Sequence, residues 1–108
     1  MSIQLTNNAT SKLATDLSSV ATSLSVTAGT GALFPSLGVS DYFYLTIIAT
    51  SNTFEIVKVT ARVDDTFTIV RAQEGTQALP FAAGSAAELR VTAANVQSVI
   101  PDLNLLLL

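Results

Sequence analysis

Between Phe54 and Arg71 the chain is built almost entirely of residues that favour a pleated strand. Two runs, Phe54–Arg62 and Thr66–Arg71, are dominated by Val, Ile, Thr and Phe and are joined at Val63-Asp64-Asp65. Strand side chains alternate between faces, so Glu55, Val57, Val59 and Ala61 share one face of the first run. Phe54, Ile56, Lys58, Thr60 and Arg62 share the other. On the return, Phe67, Ile69 and Arg71 fall on a common face. A connection this short forces the two runs to pair antiparallel. A third run, Asp41–Ile48, sets Tyr42, Tyr44, Thr46 and Ile48 on one side and Phe43, Leu45 and Ile47 on the other. Both sides are apolar, so it is expected to be a central strand covered on both faces. Ala49–Thr53, with Ser51-Asn52, reads as its hairpin loop, and the three runs form a meander.

Shorter strands flank this unit. Thr22–Ala28 alternates, with Leu24 and Val26 on one side, and is ended by Gly29-Thr-Gly. Phe34 precedes Pro35 and is therefore extended; Leu33 and Phe34 are expected to plug one end of the core. Lys12–Leu17 fits a helical face or a strand, and is read as a strand pairing with Thr22–Ala28. Gln73–Ser85 is irregular, with Leu79 and Phe81 buried, and Ala86–Thr92 is a last strand. Ala93–Ile100 has room for two helical turns before Pro101. The expected fold is all-β: a small barrel or sandwich of about six strands with a short C-terminal extension. Residues 1–100 form one β-domain and residues 101–108 an apolar arm.

Composition narrows the function. The chain has no Cys and no His, which removes disulfides, thiolate nucleophiles, the usual general base and the commonest metal ligands. Lys12, Lys58, Arg62, Arg71 and Arg90 are the only basic residues and the net charge is −3, so there is no patch with which to neutralise phosphates. Met1–Asn8 has no basic n-region and no continuous apolar run, so it does not read as a targeting segment, and the uncharged stretch Leu17–Ser40 is too rich in Ser, Thr, Gly and Pro to be expected to span a bilayer as a helix. Charged residues make up 12% of the chain, against about 25% in ordinary globular domains, which suits a surface covered by neighbours.

A series of motifs runs in order along the chain: Thr22–Val26, Gly29–Pro35, the aromatic run Asp41–Ile48, Glu55–Arg62, Thr66–Arg71, Gln73–Thr76 and Ala82–Ala93. In this order they resemble the small β-modules of tailed-phage virions, above all the N-terminal, virion-anchoring domain of tail fibres and tailspikes. The match covers roughly residues 6–94. Such modules usually carry Gly where this chain has Ala72, and they usually introduce a long fibre. The resemblance implies a structural virion protein, assembled in the host cytoplasm, that acts as a tail or baseplate adaptor or fibre anchor. The rival within the virion is a capsid decoration (cement) protein. A carbohydrate-binding module is a further alternative, weakened by the lack of Trp and by the placement of Tyr42 and Tyr44 in a strand that reads as buried. The expected partners are copies of the chain itself, in a homotrimer by resemblance, and other virion proteins. No nucleic acid, membrane, small-molecule substrate or cofactor is expected.

No catalytic or metal site is expected. Asp64-Asp65 is the one adjacent acidic pair and reads as a solvated turn. Gln73-Glu74-Gly75-Thr76 reads as a turn with Gly75 at positive φ, with Glu74 or Thr76 bonding loop backbone, and as a contact for a neighbouring subunit. Arg71 is placed to pair across strands with Glu55 or Glu88, a pair worth about 0.2–1 kcal/mol if exposed and one that at a subunit interface would fix register and partner choice more than affinity. The arm follows Pro101 and carries Leu103, Leu105, Leu106, Leu107 and Leu108. Exposed, these would form a sticky apolar patch, so the arm is expected to dock on a neighbouring subunit or virion protein, as an exchanged arm or a strand added to a sheet edge; the alternatives are packing on its own barrel or leading into a fibre shaft.

Overall fold

The computed structural model describes residues 3, 4, 6, 9–50 and 52–90. Six strands form one antiparallel sheet: β1 (Thr10–Lys12), β2 (Ser23–Ser25), β3 (Phe43–Thr50), β4 (Thr53–Val63), β5 (Thr66–Gln73) and β6 (Ala86–Glu88). Their order across the sheet is β1-β6-β3-β4-β5-β2. The expected meander is its centre, where Phe43–Ile48 pairs with Phe54–Val59 and β4 turns into β5. The sheet curls into a half-barrel, and its two edge strands meet at one end. There Leu13 bridges Val26, the Ala14 N–H donates to the Ser25 carbonyl, and the Thr27 N–H donates to the Lys12 carbonyl.

The β3–β4 hairpin is tighter than the sequence suggests, since Ala49, Thr50 and Thr53 belong to strands and no five-residue loop separates them. Lys12–Leu17 is not a strand partner of Thr22–Ala28 along its length. β1 pairs with β6, and β2 pairs with β5. Leu13 and Leu17 are nonetheless buried, each through a single bridge, to Val26 and to Phe81. β6 is shorter than expected, ending at Glu88, although the Leu89 N–H still donates to the Ala9 carbonyl. Val91, Thr92, the expected helical turns of Ala93–Ile100 and the arm at 101–108 lie outside the described residues.

The concave face holds the core. Phe43, Leu45, Ile47, Val57, Val59 and Phe67 are fully buried, and Phe34 nearly so. The Phe34 ring stacks on Phe43 at 5.8 Å and meets Phe67 edge-on at 5.1 Å. Such geometries add roughly 0.5–1.5 kcal/mol per pair beyond area burial. Phe34 thus plugs the core as expected, but Leu33 does not: it is 46% exposed. Leu33 ends a 3-10 helix (Thr30–Leu33), and the chain then turns extended at Phe34, φ −93° and ψ 160°, so only the second residue points inward.

Besides a register shift between Ile48 and Thr50 in the β3–β4 ladder, two β-bulges break the simple alternation of the β4–β5 ladder. One lies on β4 between Val59 and Ala61, where Thr60 is the extra residue, so Val59 is buried while Ala61 is exposed, contrary to the expected common face. The other lies between the Ile56–Gln73 and Lys58–Val70 pairs, where β5 carries an extra residue. Ala72 sits there with φ 55°.

The β4–β5 turn is locked onto the 3-10 helix. Asp65 accepts hydrogen bonds from the Gly29 N–H (3.0 Å) and the Gly31 N–H (2.8 Å), and its own carbonyl accepts from Val26. Gly31 is buried, and a Cβ there would collide with the Asp64 carbonyl and stand 2.7 Å from Asp65 Oδ1. Backbone cannot yield as a flexible side chain can. Gly31→Ala is therefore expected to lower stability by roughly 1–3 kcal/mol, the usual range for overpacking. A urea titration checks this, with a lowered midpoint at unchanged slope expected.

Candidate assembly site

The expected contact turn lies at the end of β5 and is anchored from beneath by a buried ion pair. Glu55 is completely buried, and the Arg71 side chain is 10% exposed. The guanidinium meets the carboxylate in a fork: Nε donates to Oε2 and Nη2 donates to Oε1, both at 2.8 Å. The Ala72 N–H also donates to Oε2 and the Leu79 N–H to Oε1, each at 2.9 Å. Arg71 in turn donates to the carbonyls of Ser18 (2.5 Å), Ala21 (3.2 Å) and Leu79 (2.6 Å). Five donors and four acceptor positions are thus all engaged. The pairing is with one of the two partners the sequence offered, and it is buried, so the value of an exposed pair does not apply. Glu88 bonds Arg90 instead, at 2.9 Å and partly exposed.

Burial alone would push the Glu55 carboxyl pKa up. Hydrogen bonds from Arg71, Leu79 and Ala72, with the Arg71 charge, outweigh it and hold the group below the usual carboxylate range. Asp65 is also held low, by the Gly29 and Gly31 amides and with help from Arg62. Asp64-Asp65 is therefore more than a solvated turn, because Asp65 acts as an internal anion for two backbone amides. Arg62 completes that end by donating to the carbonyls of Pro35 and Asp64 and to the Ser36 hydroxyl. Among the described residues, no group of three or more His, Cys, Asp or Glu converges as a metal site requires.

The turn 73–76 stands on this base. Gly75 has φ 82°, as expected, with open space around the position of a Cβ, so its constraint is conformational. The Thr76 hydroxyl accepts from the Ile56 N–H (3.1 Å) and donates to the Gln73 carbonyl (2.7 Å), the loop-bonding role expected of it. Gln73 donates to the Arg71 carbonyl. Gln73 and Thr76 are half-buried and bonded to their own turn, whereas Glu74 and Gly75 form its exposed tip. Leu103, Leu105, Leu106, Leu107 and Leu108 lie outside the described residues.

The convex side of the sheet adjoins this tip. Only one face of β3 is sealed, by the core. On the other face Thr46 is covered by its neighbours, while Tyr42, Tyr44 and Ile48 are half-exposed. The Tyr42 and Tyr44 rings meet edge-on at 5.7 Å, and Lys58 Nζ lies 4.5 Å from the Tyr42 ring centre. Burial, then the nearby Tyr42 and Glu74, push the Tyr44 phenol pKa up, so the turn's acidic residue lies within electrostatic reach of the aromatic pair. The two-sided apolarity of Asp41–Ile48 was thus a sign of an outward apolar face as well as an inward one. Compared with known proteins, the chain matches no family model, and no curated protein matches it.

Two outcomes test this architecture. Removing the Glu55 charge leaves Arg71 buried without its counter-ion, so Glu55→Gln is expected to cost roughly 3–5 kcal/mol. Because the folded-state pKa of Glu55 is depressed, its contribution is fully present above the unfolded carboxylate range. That contribution is lost as pH falls below about 4. Stability measured against pH should therefore fall less steeply on the acid side in Glu55→Gln than in the parent. At Ala72 a β-carbon occupies a left-handed conformation, which disfavours alanine by about 1 kcal/mol. Ala72→Gly should relieve this and raise the thermal midpoint by a few degrees, since the Ala72 N–H that Glu55 needs is retained.

Proposed function

We propose that this chain is a structural virion protein of a tailed phage, an adaptor or fibre-anchoring module at the tail or baseplate that works by assembly and without catalysis. The location in a virion follows from the ordered motifs between Thr22 and Ala93 and their resemblance to fibre-anchoring modules. The observation that carries the assembly reading is the disposition of charge and apolar surface. Glu55, Arg71, Asp65 and Arg62 are turned to hydrogen bonds with the chain's own backbone and side chains. The convex sheet face presents Phe54 and Val70, 43% and 46% exposed, beside two tyrosines. Such a face is characteristic of a surface that another protein covers.

A capsid decoration role uses the same properties and is the second reading. It is separated from the first by position in the particle. The carbohydrate-binding reading ranks below both, although Tyr42 and Tyr44 are not buried as their strand suggested. Their rings stand at 79° to each other and offer no single flat platform for a sugar ring.

Sedimentation of the purified protein at micromolar concentration tests assembly, with a species larger than monomer, a homotrimer by resemblance, expected. A clean monomer that also forms no larger species in particles would contradict the reading. Antibody labelling of particles separates the two virion roles: label at the tail end supports the adaptor, and label over the capsid supports the cement protein.

A further inference from the structure

The connection from β2 to β3 is the longest between strands, and it is fastened differently from the sheet it crosses. Its upstream anchor is backbone: the Val26 N–H donates to the Asp65 carbonyl and the Thr27 N–H to the Lys12 carbonyl. Its downstream anchor is Tyr42, which bridges Ile3 and whose carbonyl accepts from the Gln4 N–H. Between these anchors, among the described residues, no backbone–backbone hydrogen bond joins residues 29–40 to a strand. Every tie runs through a side chain. Asp65 holds the Gly29 and Gly31 amides, and Arg62 holds the Pro35 carbonyl and the Ser36 hydroxyl. The Ser11 and Thr30 hydroxyls share a hydrogen bond at 2.6 Å, and the Thr6 hydroxyl donates to the Leu33 carbonyl at 2.8 Å.

Burial in the segment is equally sparse. Gly31, Phe34 and Pro35 are buried, Thr30 and Leu37 are half-buried, and the other residues from 29 to 40 are exposed. One large side chain, Phe34, therefore makes most of its apolar contact with the core. The Phe43 and Phe67 rings beneath Phe34 meet each other edge-on at 5.7 Å. They belong to β3 and β5, whose ladders with β4 do not involve the segment, so Phe34 can leave without unpairing a strand. Left-handed residues sit just inside the two anchors, Gly29 with φ 84° and Ser40 with φ 67°. Sparse burial and solvent-exposed hydrogen bonds mark the parts of a protein that open below the global unfolding free energy. Connections this long with little regular structure are uncommon in small domains and often act as lids.

We propose that residues 30–39 are a strap that opens as one unit about Gly29 and Ser40, with Asp65 and Arg62 as its latch, and that opening withdraws Phe34 from between Phe43 and Phe67 while the sheet stays paired. The open form is a minor state of the native protein. It gives the half-barrel a way to uncover aromatic surface at one end without unfolding, and it does not depend on where the protein acts. The two latch residues stand on β4 and its turn into β5, which remain in place, so the latch can close again on the same amides and carbonyls.

Native-state hydrogen exchange of the full chain tests the strap, read at the Gly31 and Phe34 amides against Val59 in β4. A single 3-10 turn has no stability of its own once detached, so both amides report opening. The chain has no cysteine, and the 2.6 Å between the Ser11 and Thr30 hydroxyls puts Ser11→Cys and Thr30→Cys within disulfide reach, which supplies a lock between the strap and β1. Gly31 and Phe34 are expected to exchange at least tenfold faster than Val59, with a weaker dependence on added urea. Oxidising the double cysteine variant should slow both to the rate of Val59, and reducing it should restore the difference. Asp65→Ala should speed Gly31 and Phe34 by a further tenfold or more and Val59 by much less. Exchange of Gly31 and Phe34 at the rate and urea dependence of Val59 in the parent would overturn the strap. So would fast exchange that persists in the oxidised form, or an Asp65→Ala effect equal at Val59 and Phe34. Should Asp65→Ala fail to fold, the parent and the oxidised and reduced forms of the double variant decide the matter alone.

Discussion

The fold depends on one carboxylate being taken entirely out of water. Removing Glu55 from solvent carries a desolvation penalty of several kcal/mol, and Arg71 carries another. Attraction offsets such penalties only when every remaining lone pair and N–H finds a partner, and here each one does. The satisfied pair does more than balance its own burial. Its outer hydrogen bonds reach Ser18 and Ala21 in the β1–β2 connection and Leu79 in the β5–β6 connection. Neither segment has a long ladder of its own. Leu17 and Phe81 exchange a pair of backbone hydrogen bonds beside the ion pair, and Arg71 secures the turn on each side. A hydrophobic pair of the same volume would fill the space but leave these carbonyls and amides unsatisfied.

At the other end of the sheet, Asp65 plays a similar part with less burial. It gathers the amides of Gly29 and Gly31, and Arg62 gathers the carbonyls of Pro35 and Asp64. The aromatic cluster of Phe34, Phe43 and Phe67 belongs to the core between the two clamps. A domain this small buries a limited apolar area. Polar clamps at both ends fix its long connections without enlarging that core. Asp16 and Asp41 follow the same pattern on the surface, accepting from the Ala83 and Gly38 amides. A chain poor in charge thus directs much of it inward, and the convex sheet face is left largely apolar.

The meander was legible because its residues alternate at period two over long runs. The grouping of Glu55 with Val57 and Val59 on one face followed from that pattern, but which face of β4 meets the core did not. The burial of Glu55 was not legible. Nothing local to Glu55 announces that the 18–21 and 79–81 segments will converge on Arg71, because those contacts come from distant parts of the chain. The bulges were also hidden. Thr60 and Ala72 are ordinary strand residues in sequence, and nothing local to either marks a bulge or a left-handed residue. The short edge strands were misread in their partners because three-residue strands carry too little alternation to fix register. The turn 73–76 was read correctly at Gly75 and Thr76, where chemistry is local. The exposure of Tyr42 and Tyr44 depends on which face the core occupies, which the two apolar faces of β3 left undecided.

The amides of Ala72 and Leu79 provide the most direct measure of the Glu55 clamp. Ala72 lies at a bulge and Leu79 in an irregular segment, and both N–H groups donate to the buried carboxylate. Native-state hydrogen exchange at these two amides should require global unfolding, with protection equal to that of Val57 and Val59 in the core of β4. Exchange of Ala72 and Leu79 at the rate of the exposed turn residues Asn52 and Gly75, while Val57 and Val59 remain protected, would show that the carboxylate does not hold them.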